Sequence, residues 1–307
     1  MKQETKKNIK NTFIYIGILT FIKVLRLMNR KQSIAFMRYI GRIAFIFARH
    51  ERKNTIKHLS MAYANEKSSE EIHALGKQVF LNIAACAADA VRLPVLVADG
   101  TIDTILDVED FDKFERYVAK GNGVILMTGH YGNWELLGTW LVRNGINLKV
   151  VAKKSYDPRL DKLIVDYRNE AGYANTARGN AVKSVVKGLL NGAVYGLLFD
   201  LDTKVKGVFV NFFGRPAHTA TIPVVLSKQL GSPVVPVFIK LNKDFTYKIM
   251  CFDALEFVDT GDDDKDIVTN TQICSDFYEK MIRRYPEQWI WMHKRWKKQP
   301  QGKIPVV

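Results

Sequence analysis

Cysteine is scarce in this chain. Cys86, Cys251 and Cys274 are its three thiols, odd in number, scattered and without a C-x-x-C pair. That spacing excludes a disulfide framework and offers no zinc-binding pattern; reduced thiols facing the cytosol fit best. No internal repeat or low-complexity tract is present. No Gly-x-Ser-x-Gly elbow occurs, which removes the usual serine-nucleophile signature. Long apolar runs are also missing near the start. The uncharged stretch Asn11 to Ile22 is shorter than the roughly 20 residues a spanning helix needs. No small-residue cleavage site comes after it, so a secretory leader is not expected.

Acidic side chains are fewer than basic ones, 31 against 46, for a formal charge of +15 over 307 residues. The imbalance sits at the two ends. Residues 1–60 hold fourteen Lys or Arg against Glu4 and Glu51, and residues 283–307 hold seven against Glu287, so the body is close to neutral. A nucleic-acid enzyme would carry its charge along a groove in the core, and no nucleic-acid partner is expected. Basic ends beside apolar stretches suit an anionic membrane surface.

The apolar run Phe13–Ile22, flanked by lysines that can snorkel, reads as a short membrane anchor, embedded or interfacial. On a helix through residues 31–53, Lys31, Arg38, Arg42, Arg49 and Arg52 fall within roughly an 80° wedge. Phe36, Ile40, Ile43, Ala44 and Phe47 lie opposite. Such a basic amphipathic helix either binds a membrane surface or packs its apolar face on the protein. Residues 1–60 are therefore expected to form an anchoring segment and residues 61–307 the main domain.

Further along, apolar runs alternate with helical patterns. Strands are expected at Val124–Thr128, Leu148–Ala152, Ala193–Phe199, Val234–Ile239 and Tyr247–Phe252, with an extended stretch at Gly207–Phe213. Helices are expected over 66–92, around 109–120, up to Arg143, and over 158–170, 179–191, 219–230 and 267–285. Strands separated by helices of 10–15 residues define a layered α/β fold.

The segment with most chemistry in it is His130-Tyr131-Gly132-Asn133-Trp134-Glu135, directly after Val124–Thr128 and Gly129. It sets an imidazole and a carboxylate five positions apart. On one continuous helix that spacing rotates the side chains by roughly 140°, so they would not share a face. A strand end, a turn through Gly132 and a helix starting near Asn133 would bring them together. Active sites of open α/β sheets lie at such strand ends. Histidine titrates near neutral pH and a carboxylate can orient it. Gly132 tolerates the tight turn, and Asn133 can cap the helix.

With Thr128-Gly129 before it, this segment resembles the His-x4-Asp/Glu motif of glycerolipid-type acyltransferases. Its particular form is similar to the late acyltransferases of lipid A biosynthesis, the lauroyl and myristoyl transferases. Phe199-Asp200-Leu201-Asp202 resembles that family's Asp-x-Asp segment. Gly207-Val208-Phe209-Val210 and Phe212-Phe213-Gly214 resemble the Val-Phe-Val and Phe-Phe-Gly stretches that come next in the family. Trp291-Met292-His293-Lys294-Arg295-Trp296-Lys297 resembles its C-terminal signature. The resemblance covers about residues 10 to 300.

It implies an α/β fold with a layered mixed sheet flanked by helices and N-terminal membrane-associated helices, on the cytoplasmic face of the cell inner membrane. It implies transfer of a fatty acyl chain from an acyl carrier protein thioester, or from acyl-CoA, to a hydroxyl of a lipid A precursor. His130 would be the general base oriented by Glu135, with direct attack and no acyl-enzyme. Gly132, Asn133, Arg168, Arg178, Asp200 and Asp202 are the candidate substrate-binding residues, with Asp200 a structural or acceptor-positioning carboxylate beside the histidine, and neither metal nor cofactor is required. Other acceptors, a glycolipid or an aminolipid, fit the same family. Asp200 and Asp202 alone also fit a metal-dependent glycosyltransferase, since hard carboxylates suit Mg or Mn. The C-terminal Trp289, Trp291, Trp296 and Lys297 read as an interfacial belt, a phosphate clamp or an edge tucked on the body. His50, His58, His73 and His218 have no partner at ligand spacing and read as non-catalytic.

Overall fold

The computed structural model describes residues 2–63, 65–152, 157–177 and 181–300. The chain opens with helices α1 (Lys2–Leu27), α2 (Arg30–Phe47), α3 (Arg49–Tyr63), α4 (Ser69–Ala98) and the short α5 (Thr101–Thr104). Strands and helices then alternate: β1 (Leu106–Glu109), α6 (Phe111–Ala119), β2 (Val124–Thr128), α7 (Trp134–Arg143), β3 (Leu148–Ala152), α8 (Pro158–Glu170), β4 (Ala174–Ala177), α9 (Ala181–Leu190) and β5 (Val194–Leu198). The remainder is β6 (Gly207–Phe212), β7 (Arg215–Ala220), α10 (Ile222–Leu230), β8 (Val234–Leu241), β9 (Tyr247–Cys251), α11 (Asp263–Arg284) and a 3-10 turn, Pro286–Gln288.

Seven strands form one mixed sheet in the order β1-β9-β8-β2-β5-β3-β4. β8, β2, β5, β3 and β4 run parallel, while β9 pairs antiparallel with β8 and parallel with β1. β6 and β7 form a separate antiparallel hairpin. The layered mixed α/β sheet expected from the sequence is present. β2 lies at the centre and every residue in it is buried. Its two faces feed two cores: Ile125 and Met127 pack with α10, α11 and the C-terminal tryptophans, Val124 and Leu126 with α4, α6 and α7. A strand covered on both faces reads as an unbroken apolar run, as Val124–Met127 does.

The first helices differ from the expectation in one respect. The helix foreseen through residues 31–53 breaks at Ala48, so Arg49 and Arg52 belong to α3 and not to the basic face of α2. Arg52 instead donates to the carbonyls of Phe45 and Ile46, closing the end of α2. α2 starts from a capping box between Asn29 and Gln32 and packs on α4 through Ile34, Gly41 and Phe45. There is no room for a larger residue than Gly41, whose added Cβ would stand 2.9 Å from that of Ala84. The apolar face Phe36, Ile43 and Phe47 is left exposed.

On α1, from residue 11 onward, only Leu25 is buried. Among the described residues, twelve of the sixteen large exposed apolar side chains lie on α1 and α2. Among the described residues one helix, α4, is long and apolar enough to cross a membrane, but 67% of its apolar window is buried inside the protein. It is the core helix on which α1, α2 and α3 pack.

Candidate active site

β2 ends at Thr128 and α7 starts at Trp134, so the motif is the strand–turn–helix junction expected of it. Gly132 has φ +58°, and a Cβ there would stand 1.9 Å from the Ile239 carbonyl oxygen on neighbouring β8. Only glycine fits, on both counts. The turn is pinned from outside by the C-terminal segment. The Gly132 amide donates to the Gln288 carbonyl at 3.0 Å, and the Ile290 amide donates to the His130 carbonyl at 3.2 Å. Asn133 is the N-cap of α7: its Oδ1 accepts the Leu136 amide at 3.2 Å, and its Nδ2 donates to the Cys86 carbonyl at 3.1 Å and to Tyr247 Oη at 3.4 Å. Buried and fully engaged, Asn133 serves geometry, as Gly132 does.

The carboxylate that meets His130 is Asp200, from the loop after β5. His130 Nδ1 lies 2.9 Å from Asp200 Oδ1. Oδ2 of the same carboxylate accepts the His130 backbone amide at 2.9 Å and Trp289 Nε1 at 2.7 Å. Asp200 is fully buried. Burial pushes its carboxyl up, but the facing His130 and the hydrogen bonds from His130 and Trp289 outweigh it and hold it below the usual carboxylate range. Gly129 makes the approach possible, since a Cβ there would sit 3.2 Å from Asp200 Oδ2. Tyr278 Oη donates to the Thr128 carbonyl at 2.6 Å and steadies the strand end. Nε2 of His130 makes no hydrogen bond among the described residues.

The orienting contact expected of Glu135 is therefore made by Asp200. Glu135 sits in the first turn of α7 with its carboxylate turned the other way. Its Oε1 is 2.5 Å from Arg168 Nη2, and its Oε2 accepts from Arg168 Nε at 3.1 Å and Tyr173 Oη at 2.7 Å. Burial pushes the Glu135 carboxyl up, but the Arg168 guanidinium and the Tyr173 hydroxyl hold it below its ordinary value. Arg168 is brought to the motif as a bidentate clamp on Glu135. Arg178 lies outside the described residues. Asp202 faces away from His130, with Oδ1 3.4 Å from both His218 Nδ1 and Lys298 Nζ. Asp200 and Asp202 thus serve different partners and do not converge on one metal position.

Two cavities meet at the motif. One, of about 220 Å³, is lined by the polar or aromatic His130, Trp134, Glu135 and Arg168 together with Leu126, Leu141, Leu148 and Gly196. The other, of about 170 Å³, lies towards α4 and is lined by Ile83, Cys86, Ala90, His130, Trp134 and Ile290. Cys86 is thus brought near His130, which its sequence position did not show. Burial pushes its thiol up to about 12, so it holds its proton at neutral pH. Burial does the same to Cys251, up to about 12.

The C-terminal tryptophans are no interfacial belt. Trp289, Trp291 and Trp296 are buried, with Trp289 and Trp291 packed edge to face at 4.8 Å. Trp289 is the partner of Asp200 that the motif pattern did not expose. A tryptophan in an apolar stretch signals packing, and only the fold carries its N–H to Asp200. Arg295 is buried as well, over the Phe212 ring at 5.0 Å, and burial lowers its guanidinium to about 10.

A buried carboxylate thus orients an imidazole between two cavities that are lined in part by apolar side chains, an arrangement able to take up a proton beside a substrate with apolar chains. The comparison with known proteins gives that chemistry its class. Residues 1–298 match the family of bacterial lipid A biosynthesis acyltransferases, and the chain belongs to that family. It is an acyltransferase. A phosphatidylinositol mannoside acyltransferase of Mycolicibacterium smegmatis is 26% identical over 212 residues, covering 68% of this chain and 67% of that protein. A protein of the same description from Mycobacterium tuberculosis is 25% identical over 190 residues, 60% of this chain and 58% of that one. The lipid A biosynthesis palmitoleoyltransferase of Escherichia coli is 24% identical over 270 residues, 86% and 84% of the two chains.

Proposed function

We propose that this protein moves a fatty acyl chain from a thioester, carried by acyl carrier protein, to a hydroxyl of a membrane glycolipid, with a lipid A precursor as the acceptor. His130 Nε2 takes the proton from the acceptor hydroxyl as its oxygen attacks the thioester carbonyl. The imidazolium that forms is stabilised by Asp200, whose charge faces it at 2.9 Å. The oxyanion is met by the first amides of α7. Collapse of the tetrahedral intermediate releases the thiolate, which recovers the proton from His130. The transfer is direct, in keeping with buried cysteines that keep their protons. Glu135 and Arg168 brace α7 against α8 and form part of the polar lining of the larger cavity. The exposed apolar faces of α1 and α2 dock on the cytoplasmic face of the inner membrane, so the acceptor need not leave the bilayer.

The observation that carries this reading is the position of His130, held by Asp200 and lining both cavities at once, as a base between two acyl-bearing substrates requires. The test is a thin-layer acyl-transfer assay on membranes holding wild type, His130→Ala or Asp200→Asn. Radiolabelled Kdo-lipid A precursor and, separately, phosphatidylinositol mannoside are offered with acyl carrier protein and CoA thioesters, with and without EDTA. Asp200→Asn is expected to lower kcat by about 10²–10⁴-fold with KM little changed. Activity that survives His130→Ala sinks the mechanism. Product only with the mannoside moves the acceptor, and loss of activity in EDTA removes the metal-free reading.

A further inference from the structure

A third cavity, of about 590 Å³, lies away from the catalytic turn, between α2 and the turn joining β8 to β9. Arg30, Lys31, Arg38 and Arg42 line it, with Phe245 and Asp244 on the opposite wall. Lys31, Arg38 and Arg42 are spaced seven and four residues apart, which sets them in one stripe along α2. Arg30 is already neutralised: its Nη2 pairs with buried Asp89 at 2.8 Å. The other three form no ion pair among the described residues. Asp244 is turned onto Thr246, whose amide and hydroxyl its Oδ1 accepts at 3.1 and 2.7 Å. Arg38 is half-buried, its guanidinium 5.1 Å above the Phe245 ring. Burial and then the neighbouring Arg42 hold Arg38 below the ordinary arginine value. Three cations thus share one groove with no ion pair of their own, facing a single lining carboxylate, Asp244, that is already taken by Thr246.

The groove has a definite place in the fold. β8 runs parallel to β2, so the turn after β8 lies at the same sheet edge as His130. On α2 exposed Tyr39 stands between the stripe and the exposed face of Phe36, Ile43 and Phe47. An interfacial helix sinks its apolar face roughly 5–10 Å, which leaves its basic flank at the depth of the lipid phosphates.

We propose that Lys31, Arg38 and Arg42 form a binding site for the phosphate of an anionic lipid headgroup, closed by Phe245. A planar guanidinium pairs two phosphate oxygens at once, and the second arginine and the lysine neutralise the rest. The site rests on the reading of α2 as a membrane-facing helix. It adds selectivity for anionic lipid to a docking that apolar contact alone would leave indifferent to headgroup.

The test is sedimentation of the full-length protein with phosphatidylcholine vesicles, with or without about 20 mol% phosphatidic acid. Arg38→Gln/Arg42→Gln is compared with Lys53→Gln/Lys57→Gln, which removes equal charge from exposed positions of α3. Melting curves establish that each variant is folded. Wild type is expected to prefer the anionic vesicles, and the groove variant to lose about 10-fold or more of that preference. Its binding to neutral vesicles stays unchanged, and the α3 variant stays close to wild type. Equal losses in the two variants would mean diffuse charge and overturn the site, as would an undiminished preference in the groove variant. Glycerol phosphate binding as tightly as the vesicles would make the ligand a free phosphate. Groove-dependent retention of acidic acyl carrier protein, in detergent without anionic lipid, would make the surface a protein dock. Failure of wild type to bind any vesicle would instead sink the membrane reading of α2.

Discussion

The His130 turn and the N-terminal helices are built on opposite principles. In the turn, nearly every polar group is assigned. Asp200 takes three donors, Asn133 makes three hydrogen bonds and Gly132 has no space for a methyl. On α1 almost nothing is assigned. One described side chain is buried, and Phe13, Ile16 and Leu27 stand out in the open. A general base works only when geometry is held to a fraction of an ångström, so its surroundings are over-determined. Adhesion to a fluid surface needs area and charge, and tolerates imprecision.

Paired glycines test this contrast most severely. Gly132→Ala forces a Cβ to within 1.9 Å of a backbone oxygen at a positive φ, at a cost above about 4 kcal/mol. Little folded protein is expected in a thermal melt. Gly17→Ala on α1 meets nothing within 4 Å and is expected to be neutral or to stabilise by about 0.5–1 kcal/mol. Similar losses in the two variants would erase the distinction.

Removing one partner of the Glu135–Arg168 pair comes next. Glu135→Gln leaves Arg168 half-satisfied and is expected to cost about 3 kcal/mol, read as a lower Tm. The Glu135 carboxyl is depressed in the folded state relative to 4.5. Its contribution is therefore complete above that pH and fades as pH falls through the folded value. Wild type and Glu135→Gln should converge in stability at acid pH. A difference that persists there would show that packing, not charge, holds α7 to α8.

Trp289→Phe keeps the ring and deletes the N–H bonded to Asp200. A loss of about 1.5–3 kcal/mol in stability is expected, with kcat about 10-fold lower because the carboxylate is less firmly held. An unchanged kcat would confine Trp289 to packing. Phe36→Ser with Phe47→Ser should change stability little, by no more than about 0.5 kcal/mol. The same pair should reduce vesicle binding about 10-fold or more. A folding defect there would mean that these rings pack on the protein and not on lipid.

Much of the central fold is legible in the sequence. β2, β3, β5 and α8 lie where apolar runs and polar caps put them. The strands that escape, β1 and β4, are the two edges of the sheet. An edge strand is short and half-covered, and β1 alternates partly buried and exposed residues with no apolar run to mark it. β7 is hidden behind Pro216, and its last residues carry the pattern of the start of α10. α4 runs past Pro94 to Ala98, beyond the end at residue 92 that its pattern suggests, with Leu93 and Leu96 buried on either side of the proline.

At the site, local sequence is enough to put His130 at a strand end, because a buried strand, a glycine turn and a capped helix are local patterns. The family resemblance also sets Asp200 beside the histidine, as a structural or acceptor-positioning carboxylate and not as the group that orients the imidazole, and it leaves the contacts of the C-terminal tryptophans open. Which carboxylate holds the imidazole is a matter of tertiary structure. Glu135 is five residues from His130 but points along α7 to Arg168, while Asp200, seventy residues away, arrives from the adjacent parallel strand. Helical direction sets where a near neighbour can point. Strand order in the sheet sets which distant residue shares its edge, and that order is written in no local stretch of chain.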